Sequence, residues 1–164
     1  MKKIDVRTGV TFFVCVLLPL IVGVISSLIS GEAMSQFSEF NQPPLSPPGW
    51  LFPIAWTILY LLMGLASFYI YTAQPETVEG KKCRVNAITY YLVQLIFNFG
   101  WSIFFFRLQV HVFSFVWLCI MWFFILLTMY HSFKVSKIAT FLLVPYILWS
   151  TFAGYLNIMI AILN

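Results

Sequence analysis

The chain has 164 residues, of which 62% are hydrophobic, 20% aromatic and 9% charged, with a net charge of +4. A water-soluble domain carries about a quarter charged residues, so this composition excludes one and places a single compact unit in lipid. The nine Lys and Arg sit near helix ends and in loops rather than in one patch, which argues against nucleic-acid binding.

Crossing the hydrocarbon core takes about 20 mostly apolar residues. Five segments qualify, at 9–29, 50–71, 87–106, 110–130 and 138–163, and none contains Asp or Glu. The predicted fold is all-α: an integral membrane bundle of five transmembrane helices, one domain over 1–164, with a long outer loop at 30–49. No period of 20 to 50 residues recurs, and the odd helix number does not suggest two inverted halves.

The first segment follows Met1-Lys2-Lys3. Its apolar run exceeds the roughly 7–15 residues of a signal peptide core, so it reads as a retained span. Gly23 and Ser27 form a small-xxx-small pair that permits close helix packing.

The loop that follows, "FNQPPLSPPGW", is stiff. Pro43, Pro44, Pro47 and Pro48 fix their own φ and bias their neighbours toward extended shapes. Ser46 is expected to cap the second helix, with Pro47 or Pro48 in its first turn. Trp50 belongs at the headgroup level. Below it, Phe52, Trp56 and Tyr60 step by four and form an aromatic stripe. A rigid lid carrying Pro47 and Pro48 above such a wall describes a pocket mouth.

The third span, "YYLVQLIFNFGWSIFFF", puts Tyr90, Gln94, Asn98 and Trp101 on one face. A buried amide in lipid must find a partner, so Gln94 and Asn98 should point into the bundle. Both can be interhelical glue or ligand contacts, and Gln94 reads first as glue. Trp117 and Trp122 of the fourth span have no polar partner in sight and are assigned to packing or lipid contact. In the fifth span, Pro145, Trp149, Ala153 and Asn157 step by four, and the indole next to a methyl leaves room for a flat ligand. Pro145 is placed to kink this helix.

Catalytic parts are missing. No span holds paired carboxylates, a Ser/His/Asp set or a phosphate-cradling glycine loop, so no catalytic residue is assigned. His111 and His131 are about 30 Å apart along one helix, and the three cysteines include no CxxC pair, so neither a metal site nor a disulfide framework is expected. Aromatic walls, two amides and a rigid cover are instead the parts of a site for a large, flat, mostly apolar ligand.

The blocks "PPLSPPGWLFPIAWTILYLLMGLA", "QLIFNFGWSIFFF" and "VPYILWSTFAGYLN" resemble the tryptophan-rich sensory protein/translocator protein family, also called peripheral benzodiazepine receptor-like. The resemblance implies a five-helix bundle that pairs as a homodimer. It implies binding of porphyrins such as protoporphyrin IX, and of sterols and synthetic isoquinoline or benzodiazepine ligands, with no cofactor required. It also implies that Trp56 and Trp149 flank the ligand, that Asn98 supplies an amide and that Ala153 is the small residue beside it. Light- or oxygen-dependent porphyrin degradation, with those two tryptophans implicated, is the alternative activity. Leu45 stands where the family usually has an aromatic residue and Gln42 where lysine is common. The C-terminus lacks the Tyr-then-Lys/Arg sterol pattern.

Eight of the nine basic residues (Lys2, Lys3, Arg7, Lys81, Lys82, Arg84, Lys134 and Lys137) fall on one side, and only Arg107 on the other. The positive-inside rule then places the N-terminus in the cytoplasm of a bacterial cell, with loop 30–49 and the C-terminus outside. Ligand carboxylates would stay near that outer surface, where Arg107 either meets them or snorkels to the interface.

Overall fold

The computed structural model of the chain describes residues 6–31 and 37–164. Lys2, Lys3 and Glu32 lie outside the described residues. Five helices are long and apolar enough to cross a membrane: α1 (Val6–Ser30), α2 (Leu51–Thr72), α3 (Val78–Ser102), α4 (His111–Phe133) and α5 (Lys137–Leu163). A five-residue π turn, Ile103–Arg107, extends α3. The order around the bundle is α1, α2, α5, α4, α3, with α1 returning to α3.

The sequence accounts for the helix ends. Thr77 caps α3 by accepting from the Gly80 amide at 3.0 Å, and Ser136 caps α5 by accepting from Ala139 at 3.4 Å. The helix therefore starts at Val78, well before the apolar run at Ala87, because a polar cap and first turn can stand in water. At the start of α2 the expected cap is wrong. The Ser46 hydroxyl is buried without a partner, and Trp50 precedes the helix with no side-chain cap. Gly49 and Trp50 form a turn between the prolines and the helix, in which Leu51 and Phe52 donate to the Pro48 and Gly49 carbonyls at 2.9 and 3.2 Å. That turn moves Pro47 and Pro48 out of the first helical turn. Pro145 lies within α5 without interrupting it.

Tight packing fixes α1 against α2. A Cβ on Gly64 would lie 2.6 Å from the Val16 Cα, so only glycine lets the backbones approach this closely. One turn up, Gly23 makes room for the Tyr60 ring, whose Cε2 would sit 2.2 Å from a Cβ there. At the basic end, Arg84 donates to the Ala73 carbonyl at 3.0 Å and Lys134 meets Glu79 at 3.1 Å. The Glu79 carboxylate, accepting from Lys134, raises that lysine above its ordinary pKa.

Candidate functional site

Toward the end opposite the basic residues, α1 separates from α2 and α3 and leaves a cavity of about 680 Å³. That volume lies in the range of small-molecule sites. Phe52, Trp56 and Tyr60 come from α2, and Asn98, Trp101 and Phe106 from α3 and its π turn. The third wall is α1, through Gly23, Ser26, Ser27 and Ser30. Leu28 of α1 and Pro53 and Thr57 of α2 also line the cavity and are exposed on the bundle's outside, so its mouth faces lipid.

The aromatic wall is layered. Trp56 stacks on Tyr60 with centroids 5.6 Å apart and lies 6.0 Å from Trp101. Trp101 stacks in turn on Phe105 at 5.3 Å. Its Nε1 donates to Asn157 Oδ1 at 3.1 Å, which also accepts from Ser114, while Asn157 Nδ2 donates to the His111 carbonyl at 2.8 Å. With its N–H committed, Trp101 offers the cavity only its ring.

A directed chain of hydrogen bonds lies at the cavity floor. Tyr60 donates to Asn98 Oδ1 at 2.7 Å, Asn98 Nδ2 donates to the Tyr146 hydroxyl at 3.2 Å, and Tyr146 donates to Gln94 Oε1 at 2.6 Å. Both amides of α3 are thus glue between α2, α3 and α5. Asn98 also lines the cavity, whereas Gln94 is buried below it and does not.

Serines make the remaining polar seam. Ser26 donates to the Phe99 carbonyl at 2.8 Å and shares a short hydrogen bond with Ser102. The π turn changes the hydrogen-bond register just beyond Phe99, and this seam ties α1 to it.

The two tryptophans expected to face one another do not share this cavity. Trp149 lines a separate, apolar groove of about 420 Å³ between α2 and α5, together with Ile58, Pro145 and Phe152. Phe52 stands between the two spaces, edge-on to Trp149 at 6.0 Å. Ala153 is buried in the core away from both. A step of four residues drifts about 40° around a helix, so Trp149 and Asn157 differ by about 80° and meet different neighbours.

Nor do Pro47 and Pro48 line the cavity. The loop approaches the cavity through Phe37, which is buried behind the lining residue Phe52 with centroids 4.8 Å apart. Phe40 packs on His111 at 4.9 Å, and Tyr155 donates to the Pro44 carbonyl at 2.8 Å, holding the loop across the ends of α4 and α5. Sequence reasoning missed Phe37, Tyr146, Ser26 and Ser30, and read Gly23 and Ser27 of the α1 wall as helix packing alone. The signal for Tyr146 was available: two buried amides demand polar partners, and a phenol in the facing helix is one. Ser26 and Ser30, one turn apart in an otherwise apolar helix, carried the same signal. Ser30 donates to the Ser26 carbonyl at 2.8 Å.

Comparison with known proteins agrees with this architecture. Residues 15–163 match the model of the TspO/MBR family. The chain is 39% identical to Tryptophan-rich protein TspO of Chlorobaculum tepidum over 156 residues, covering 94% of this chain and 96% of that protein. It is 37% identical over 121 residues to the Tryptophan-rich sensory protein of Cereibacter sphaeroides, covering 74% of this chain and 72% of that one. It is 32% identical over 129 residues to the Translocator protein of Ovis aries, covering 79% and 75% respectively. With five membrane-length helices and a family match over nearly its whole length, the chain is an integral multi-pass membrane protein belonging to the TspO/MBR family.

Proposed function

We propose that this protein is a membrane receptor for porphyrin-type tetrapyrroles and related flat hydrophobic ligands, serving tetrapyrrole transport or regulation. The observation that carries the reading is the 680 Å³ cavity walled by Phe52, Trp56, Trp101 and Phe106, with the Tyr60–Asn98 pair at its floor. Stacked rings offer a planar ligand large contact area in fixed geometry, and the few polar groups fix its orientation. Relatives named as sensory and translocator proteins support the same class. The basic end faces the cytoplasm of a bacterial cell and the loop end faces outward, by the positive-inside rule. A homodimer is the expected assembly by family resemblance, and sterols, isoquinolines and benzodiazepines are expected further ligands.

The test is titration of the purified protein in lipid nanodiscs with protoporphyrin IX, following tryptophan fluorescence. Saturable quenching that weakens about tenfold in Trp56→Leu supports the reading, the loss of one stacked ring amounting to about 1.4 kcal/mol. Linear, unsaturable quenching that is identical in the variant would refute it. The alternative, porphyrin degradation, has the oxidisable Trp56–Tyr60 stack on the cavity wall in its favour. Many turnovers of Soret-band loss in the dark would identify an enzyme, and stoichiometric loss only under light a binder.

A further inference from the structure

A fixed positive charge stands beside the cavity, one residue beyond its lining. Arg107 is the last residue of the π turn, directly after Phe106, whose ring lines the cavity. Its Nη1 donates to the Ile29 carbonyl at 2.7 Å. Ile29 sits between Leu28 and Ser30, which both line the opposite wall. The guanidinium is therefore bracketed by lining residues from α3 and from α1. The bond is favourable in itself, since the last turn of a helix leaves carbonyls without partners and its dipole attracts cations. One N–H is engaged there, and a guanidinium has five. Among the described residues the one ion pair is Lys134–Glu79, at the other end of the bundle. Among the described residues Arg107 is also the only Lys or Arg at this end of the helices.

We propose that Arg107 selects ligands bearing an ionised carboxylate, by pairing with that group at the mouth while the ligand's apolar body lies against Trp56 and Trp101. The assignment rests on the cavity being the ligand site and names the chemical class that the site prefers. A flat ligand with acidic groups on one edge fits this arrangement: the edge stays at the headgroup level, where its desolvation cost is small, and the rest enters the ring-lined space. Arg107 is bound to a carbonyl and keeps N–H groups in a planar fork suited to a carboxylate.

The experiment compares protoporphyrin IX with its dimethyl ester, which has the same ring and no charge. Both are titrated into nanodisc-embedded wild type, Arg107→Gln and Arg107→Lys, and the ratio of the two dissociation constants is read for each protein. Partition into lipid differs between acid and ester but equally for all three proteins. The expected wild-type preference for the acid is roughly three- to tenfold, because the site is partly exposed. Arg107→Gln should bring that ratio toward its lipid-partition baseline by weakening the acid alone, and Arg107→Lys should retain part of the preference. A purely structural role, in which Arg107 only seats α1, would weaken acid and ester alike and overturn the assignment while leaving the cavity reading intact. An unchanged ratio in Arg107→Gln would overturn it too. If neither porphyrin quenches the wild type, the porphyrin reading falls and this assignment with it.

Discussion

The Tyr60 hydroxyl donates to Asn98 Oδ1 at 2.7 Å, and the ring that carries it rests against Gly23. One tyrosine thus joins α1, α2 and α3 at the floor of the cavity. Removing only its hydroxyl, in Tyr60→Phe, should destabilise the protein by about 1 kcal/mol, the usual size of an interhelical hydrogen bond in a membrane protein. Thermal unfolding in a fixed detergent measures this, and no change in midpoint would show that the bond contributes nothing.

Gly23 and Gly64 should respond differently to alanine. At Gly64 the obstacle is backbone, the Val16 Cα at 2.6 Å, so α1 itself must move. Gly64→Ala should cost about 1–3 kcal/mol in stability. At Gly23 the obstacle is a ring, which can swing, so Gly23→Ala should cost less stability but shift Tyr60 into the cavity and weaken porphyrin binding. Paired melting and titration of the two variants would separate the effects.

Asn157 connects α3, α4 and α5 through Trp101, Ser114 and the His111 carbonyl. Asn157→Leu leaves the buried Trp101 N–H without its acceptor, at about 1–3 kcal/mol, while Ser114 and the His111 carbonyl keep their own bond at 2.9 Å. The expected result is a strongly lowered melting midpoint and poor yield. A variant with wild-type stability would mean that this N–H finds another partner.

Leu45 has φ +68°, is exposed and follows Pro44 in a turn closed by Ser46 donating to the Pro43 carbonyl at 3.3 Å. A left-handed residue at this turn position favours glycine. Leu45→Gly should stabilise the protein by about 1 kcal/mol by relieving the Cβ clash, seen as a small rise in melting midpoint. A fall would show that the exposed leucine gains more from lipid contact than its backbone loses.

Because Trp149 lines a different space from Trp56, the two tryptophans should separate in binding. Trp56→Leu should weaken porphyrin about tenfold and Trp149→Leu by less than about twofold. Equal losses would place the ligand between the two rings instead of beside α1.

The five spans were legible because lipid leaves the backbone one solution, and its length is written in the apolar runs. The inward direction of Asn98 and Gln94 was legible for a similar reason: an unsatisfied amide is too costly in hydrocarbon. Which helix each face meets was not legible. Spacing by four identifies a shared face over one turn, yet Trp149 and Asn157 had drifted apart by the second. The α1 wall was read only as helix packing, through Gly23 and Ser27, for the opposite reason. Its polar and small residues are glycine and serine, whose contribution is the room and the small hydroxyls they offer to neighbours, and neither registers as an aromatic or amide stripe. The Ser46 cap failed because a two-residue turn intervened where a direct helix start seemed natural.

The π turn at Ile103–Arg107 sets the azimuth of everything after it. It closes with Leu108 donating to the Ile103 carbonyl at 3.0 Å, one residue further along than in an α-helix. Deleting a single residue there would restore ordinary winding and swing the guanidinium by about 100°, away from Ile29. One residue of slack in the winding thus aims the Arg107 guanidinium, and chain length at that point is as decisive as residue identity.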